Sequence, residues 1–273
     1  MRLQRIIRAV YSTPLFITAQ GHETIDAVLR PHLMRGEMPQ PRGEGKDFMG
    51  GSLPKMEIIR GVAVIPVNGP LLQHAGMMDK MCGACSYDDI KADIKSAIAQ
   101  GVSGIVMNID SPGGEMTGCC ETAQLIAETT DVLPVYAFTD SLMASAAYHL
   151  AAGCTGIFTT GSATVGSIGC IIGFLDTSKA MEAQGVKPVY ITSGKYKGAG
   201  AAGTSLTEDQ YAYLEGMVME AADGFKSFVT EHRPSVADDS MQGQVFFGRA
   251  AADNGLCDAV VDDIEDVVEM CGR

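Results

Sequence analysis

"VSGIVMNIDSPGGEMTGCCETAQLIAETT", residues 102–130, decides the fold class. Its first half is a run of Ile, Val and Met that reads as a buried strand. Ser-Pro-Gly-Gly then turns the chain, and "EMTGCCETAQLIAETT" (115–130) reads as a helix. Strand, tight turn and helix in direct succession make the unit of an α/β layered protein with mainly parallel strands. The unit recurs in both directions. Upstream, "GVAVIPVNGPL" (61–71) is a β-branched strand closed by Asn-Gly-Pro. "SYDDIKADIKSAIAQG" (86–101) reads as a helix capped by Ser86 and stopped by Gly101, with Ile90, Ile94 and Ile98 recurring every four residues. Downstream, "LPVYAFT" is a strand and "SLMASAAYHLAAG" opens a helix. "TGIFTT" and "GCIIGFLD" read as extended, "TSKAMEAQG" as a helix, "KPVYITSG" as a strand and "TEDQYAYLEGMVMEAADGFKSFVTEH" as a long helix. The tail "VFFGRAAADNGLCDAVVDD" reads as helix, turn and short strand. No long internal repeat is visible.

Residues 1–55 read as an N-terminal arm and linker, with a helix near "HETIDAVLRPHLM" and then a polar, Gly/Pro-rich stretch; residues 56–273 form the core domain. The start, "MRLQRIIRAVYSTPLFITAQG", is too polar for a secretory segment. No run of about 18 apolar residues indicates a membrane span. A cytoplasmic protein with no integral membrane segment is expected. The net charge of −13 argues against nucleic acid as a partner. Eight cysteines lack the density of a small disulfide scaffold, and several lie in apolar runs. Cys82 and Cys85 have metal-ligand spacing, but no second half-site completes four ligands, so neither metal nor cofactor is expected.

Two strand-to-helix turns carry chemistry. Gly113 and Gly114 let the first turn bend sharply and leave N–H groups free at a helix start, an arrangement that can hold an oxyanion. In "TDSLMASAA" the second places Ser145 in the first turn of a helix, with the Ala146 N–H aimed at the same region. A serine cap is the structural alternative. A nucleophilic serine needs a base. His149, four residues on, shares its helix face and is poorly placed for proton transfer. A lysine serves only when neutral, which requires burial. Lys195 and Lys197 in "ITSGKYKGAGAAG" are both candidates, at a strand end among small residues.

"NIDSPGG", "MASAAYHLA", "TVGSIGC", "SGKYKGAG" and "FFGRAAADNGLCD", in this order, resemble the motifs of the S49 peptidases. That family includes signal peptide peptidase A enzymes and phage capsid-assembly, or head maturation, proteases. The resemblance spans roughly residues 56–265. It implies a Ser–Lys dyad of Ser145 and Lys197, and an oxyanion or substrate-binding region at Gly113, Gly114 and Ala146. It also implies a Clp/crotonase-like α/β spiral that assembles into ring-like homo-oligomers, in which neighbouring subunits can supply serine and lysine. Where many relatives carry Gly-Gly after the nucleophile, this chain has Ala146 and Ala147. The arm resembles the phage branch, so the expected role is a phage head maturation protease. Its partners would be protein or peptide substrates such as scaffold or capsid proteins, in the host cytoplasm or procapsid, with any scaffold substrate a separate chain or absent. A signal peptide peptidase A-like protein degrading membrane or signal peptides is the alternative. A crotonase-type acyl-CoA enzyme is a further one, with Glu115 its obvious carboxylate, and a non-catalytic assembly protein is another. A Ser-His-Asp triad is disfavoured, because apart from His149 no histidine follows Ser145 for more than eighty residues.

Overall fold

The computed structural model describes residues 13–35 and 55–272. The expected linker at 36–54 and the arginine-bearing start before residue 13 lie outside the described residues. The chain opens with β1 (Leu15–Ile17) and α1 (Ala19–Arg35). It resumes with β2 (Glu57–Ile59), β3 (Val62–Asn68), β4 (Leu71–Leu72), α2 (Met77–Met81), β5 (Cys85–Ser86) and α3 (Tyr87–Ala99). Next come β6 (Gly104–Asp110), β7 (Gly113–Glu115), α4 (Cys119–Thr129), β8 (Val135–Thr139), β9 (Leu142–Ala144) and α5 (Ala146–Ala152). The remainder holds β10 (Gly156–Thr159), β11 (Thr164–Gly166), α6 (Ser178–Ala183), α7 (Glu208–His232), β12 (Val245–Phe247), α8 (Gly248–Asp253), β13 (Ala259–Val260) and α9 (Ile264–Cys271).

The main sheet has the order β13-β10-β8-β6-β3-β2 and is parallel except for the β2–β3 hairpin. Side chains alternate between its two faces. Ala63, Ile65, Ile105, Met107 and Ile109 join one core cluster with Ile90 and Ile94 of α3 and Ala123 and Ile126 of α4. Val62, Val106 and Phe138 point the other way and pack on Val267, Val268 and Cys271 of α9. Burial on both faces explains why β6 is continuously apolar rather than alternating.

The strand-turn-helix unit has an inner step that the sequence did not display. At the ends of β3, β6, β8 and β10 the chain steps out of the main sheet into a short strand: β4, β7, β9 and β11 respectively. β4 pairs in parallel with β7, and β9 with β11. The helix expected to start directly after Ser-Pro-Gly-Gly therefore begins only at Cys119, after β7. Local propensity could not show this, because β7 exists through pairing with Leu71 and with Leu15–Ile17, far away in the chain. The α3 boundaries follow their local signals: Ser86 Oγ accepts from the Asp88 N–H at 3.2 Å, and Gly101 takes φ 69°. Ile98 is the exception, exposed on α3 while Ala97 is buried. "KPVYITSG" forms no strand. Its Val189, Tyr190 and Ile191 are exposed, Ile191 at 98%, and no sheet edge among the described residues pairs with it; β-rich residues make a strand only against a neighbour.

Candidate active site

Ser145 sits where β9 ends and α5 begins, with φ 56° and ψ −119°, a conformation rare outside glycine. Both flanking backbone groups are fixed. The Ser145 N–H donates to Gly166 O at 2.8 Å, and its carbonyl accepts the His149 N–H at 2.9 Å. The residue is 1% exposed, and its Oγ has no hydrogen-bond partner among the described residues. As the first residue of α5, Ala146 carries an N–H that no carbonyl within the helix can accept.

Gly113 meets this residue across the other turn. A Cβ built on Gly113 would lie 2.9 Å from Ser145 Cβ, 3.0 Å from Ala146 N and 2.1 Å from Phe16 O. Only glycine fits such an approach, and its φ of 99° independently favours glycine. Gly114 lies against β4 instead: its Cβ would fall 2.0 Å from Leu71 O. Thus Gly113, Ser145 and Ala146 converge on one point, while Gly114 lets β4 and β7 close together.

Ser111 joins the two turns and was not singled out from the sequence. Fully buried, its Oγ donates to Gly69 O at 2.7 Å and accepts the Gly113 N–H at 3.2 Å. Its backbone N–H donates to Leu142 O at 2.7 Å, and its carbonyl accepts the Ala144 N–H at 3.1 Å. The available signal was its place between Asp110 and Pro112, which reads equally well as a turn former. The second missed group is β1. The apolar "LFI" inside a polar arm was its only mark, yet it pairs antiparallel with β7, Phe16 opposite Gly114.

His149 is no base for Ser145 here. Burial, with the nearby His232 adding to it, pushes its pKa down to about 3. The ring packs among Phe16, Phe225 and Phe228, with Nδ1 3.4 Å from Cys119 Sγ. The two lysines lie on the exposed 191–197 segment. Lys195 Nζ pairs with Asp209 Oδ2 at 3.1 Å and stands 4.7 Å from the centroid of the Tyr196 ring; hydrogen bonding to Tyr196, and then to Asp209, pushes its pKa up. Lys197 is exposed, and Ser145 Oγ makes no bond to it within the chain. Glu115 is engaged elsewhere: Oε2 accepts the Gln73 N–H at 2.7 Å. Among the described residues no group of three or more His, Cys, Asp or Glu is arranged to hold a metal, and no helix is long and apolar enough to cross a membrane. Cys82 and Cys85 are free thiols, and burial pushes Cys85 up to about 11.

The sequence profile described as peptidase family S49 matches residues 127–271. Capsid assembly protease C of Escherichia phage lambda is 29% identical over 218 residues, covering 78% of this chain and 49% of that protein. Head-tail preconnector protein GP5 of Enterobacteria phage P21 is 28% identical over 276 residues, covering 95% and 55%. A putative signal peptide peptidase SppA of Enterococcus faecium is 30% identical over 163 residues, covering 58% and 47%. The chain spans about half the length of these curated relatives.

Proposed function

The chain belongs to peptidase family S49, and from that membership we propose that it is a serine endopeptidase working through a dyad of Ser145 and Lys197. The observation that carries this reading is the convergence of Ser145, the Ala146 N–H and Gly113 at one point. Ser145 Oγ attacks a peptide carbonyl, and neutral Lys197 Nζ takes its proton and later passes it to the leaving amine. The tetrahedral oxyanion forms beside Ala146, whose N–H is its donor; the Gly113 N–H, expected from the sequence to be free, is held by Ser111 Oγ, and Gly113 serves by letting the two turns approach. Gly114 contributes by shaping the β7 edge along which a substrate strand runs. Lys197 is exposed in the single chain, whereas a lysine base needs desolvation. A neighbouring subunit of a homo-oligomer supplies that burial in this reading. The repeated step from main strand to small strand to helix supports a Clp/crotonase-like spiral, with residues 56–273 as the peptidase domain and 1–55 as arm and linker.

The biological role we favour is head maturation in a phage, with scaffold or capsid proteins as substrates, in the host cytoplasm or procapsid. The named phage relatives match 78% and 95% of the chain, against 58% for the signal peptide peptidase relative. The acyl-CoA reading loses support because Glu115 is tied to the Gln73 backbone. A fluorophosphonate probe and a casein assay test the core claim together. Wild-type chain is expected to label at Ser145 and cleave casein, and Ser145→Ala to do neither while keeping its fold by circular dichroism. Labelling or cleavage that survives Ser145→Ala would sink the assignment.

A further inference from the structure

Ser145 presents a steric problem. A peptide carbonyl must come within roughly 3–3.5 Å of the attacking oxygen, yet this serine is 1% exposed. β1 crosses that point, with Phe16 O against Gly113 beside Ser145 Cβ. One edge of β1 pairs antiparallel with β7, with Leu15 opposite Glu115 and Ile17 opposite Gly113. The other edge meets Ile171: Leu15 N donates to Ile171 O at 2.9 Å, and Ile171 N donates to Leu15 O at 3.0 Å. β1 is thus paired along its three residues with β7 and at Leu15 also with Ile171. The Phe16 ring is fully buried, its centroid 5.7 Å from His149 and 4.9 Å from Phe225. Main-chain bonds along a strand with one side chain in a pocket is how proteins receive an extended peptide of varied sequence.

We propose that the slot filled by Leu15–Ile17 is the peptide-acceptor groove, and that β1 is an internal occupant that substrate displaces. The inference rests on the peptidase reading and adds its substrate class: an extended segment with a large apolar residue where Phe16 lies. While β1 is seated the nucleophile is covered, so the chain is held off until a competing strand takes the slot.

The test uses the full chain carrying Ser145→Ala, so nothing is turned over, with Leu15→Cys and Ile171→Cys added and Cys170→Ser removing the neighbouring thiol. Directly opposed residues that exchange both N–H···O bonds have Cα atoms about 5.5 Å apart, within the roughly 4.4–6.8 Å that a disulfide spans. The probe is a fluorescein-labelled heptapeptide, Thr-Pro-Leu-Phe-Ile-Thr-Ala, read by anisotropy. The reduced chain is expected to bind it, and the oxidised, locked chain to bind at least about tenfold more weakly because the competent state is removed. A peptide with Asp in place of Phe should lose binding to the reduced chain. Equal binding to both forms, or none to either, would make β1 a permanent core strand and overturn the proposal. Failure of the cysteine pair to oxidise would contradict the pairing on which it stands. Absence of fluorophosphonate labelling at Ser145 in the wild type would refute the peptidase reading separately, while the binding result still decides the slot.

Discussion

Lys195 and Lys197 stand two residues apart on one exposed segment but keep different company. Lys195 is bound to Asp209 and Tyr196, which hold its ammonium charged. A charged ammonium cannot accept the serine proton. Lys197 makes no side-chain ion pair or hydrogen bond among the described residues, and its side chain is exposed. Lys197→Ala is therefore expected to lower casein cleavage by roughly 10²–10⁴-fold, the range for removing a general base. Lys197→Arg should be equally inactive, since a guanidinium stays protonated and keeps only the charge. Lys195→Ala should stay within a few-fold of wild type. The reverse ranking would move the base to Lys195. As candidates, Ser145 and these lysines stand out in the sequence by residue type and by neighbours. The covering of Ser145 by β1 does not, because it depends on a contact between Phe16 and Gly113 nearly a hundred positions apart.

At the scale of the element, β7 is the part most dependent on a single residue. Gly113 has no room for a side chain: a Cβ would strike Phe16 O, a backbone atom, at 2.1 Å. Gly113→Ala should cost about 1–3 kcal/mol of stability in urea titration, as overpacking does. The same change at Gly161, whose Cβ would meet nothing within 4 Å, should be nearly neutral and serves as the control. Equal effects at both sites would mean that β1 yields without cost. The elements that could be read locally were those with their own punctuation, such as α3 between Ser86 and Gly101. The β7 residues look locally like the approach to a helix, because their pairing partners are distant. The composition of "KPVYITSG" favours a strand, but composition cannot say whether an edge is there to receive it.

For the whole molecule, the segment that carries Lys197 also carries exposed Val189, Tyr190 and Ile191, and its Tyr196 stacks on Tyr213 at the outer half of α7. Large apolar side chains gathered in the open mark a surface that another molecule covers. In the proposed assembly that molecule is a second copy, which brings Lys197 to a neighbour's Ser145. Co-expressing Ser145→Ala chains with Lys197→Ala chains should then restore part of the casein cleavage that each lacks alone. Verified mixed oligomers that stay inactive would place the dyad within one subunit. A different consequence follows from α9. Its Val267, Val268 and Cys271 cover Val62, Val106 and Phe138, so a sheet face made early is covered by a helix made much later. On the ribosome that face stays bare until α9 emerges, and the nascent chain is a natural client for chaperones that hold apolar surface. β6 and β8, which lead into the two turns of the candidate site, share that face, so the scaffold of the site is complete only once α9 has left the ribosome.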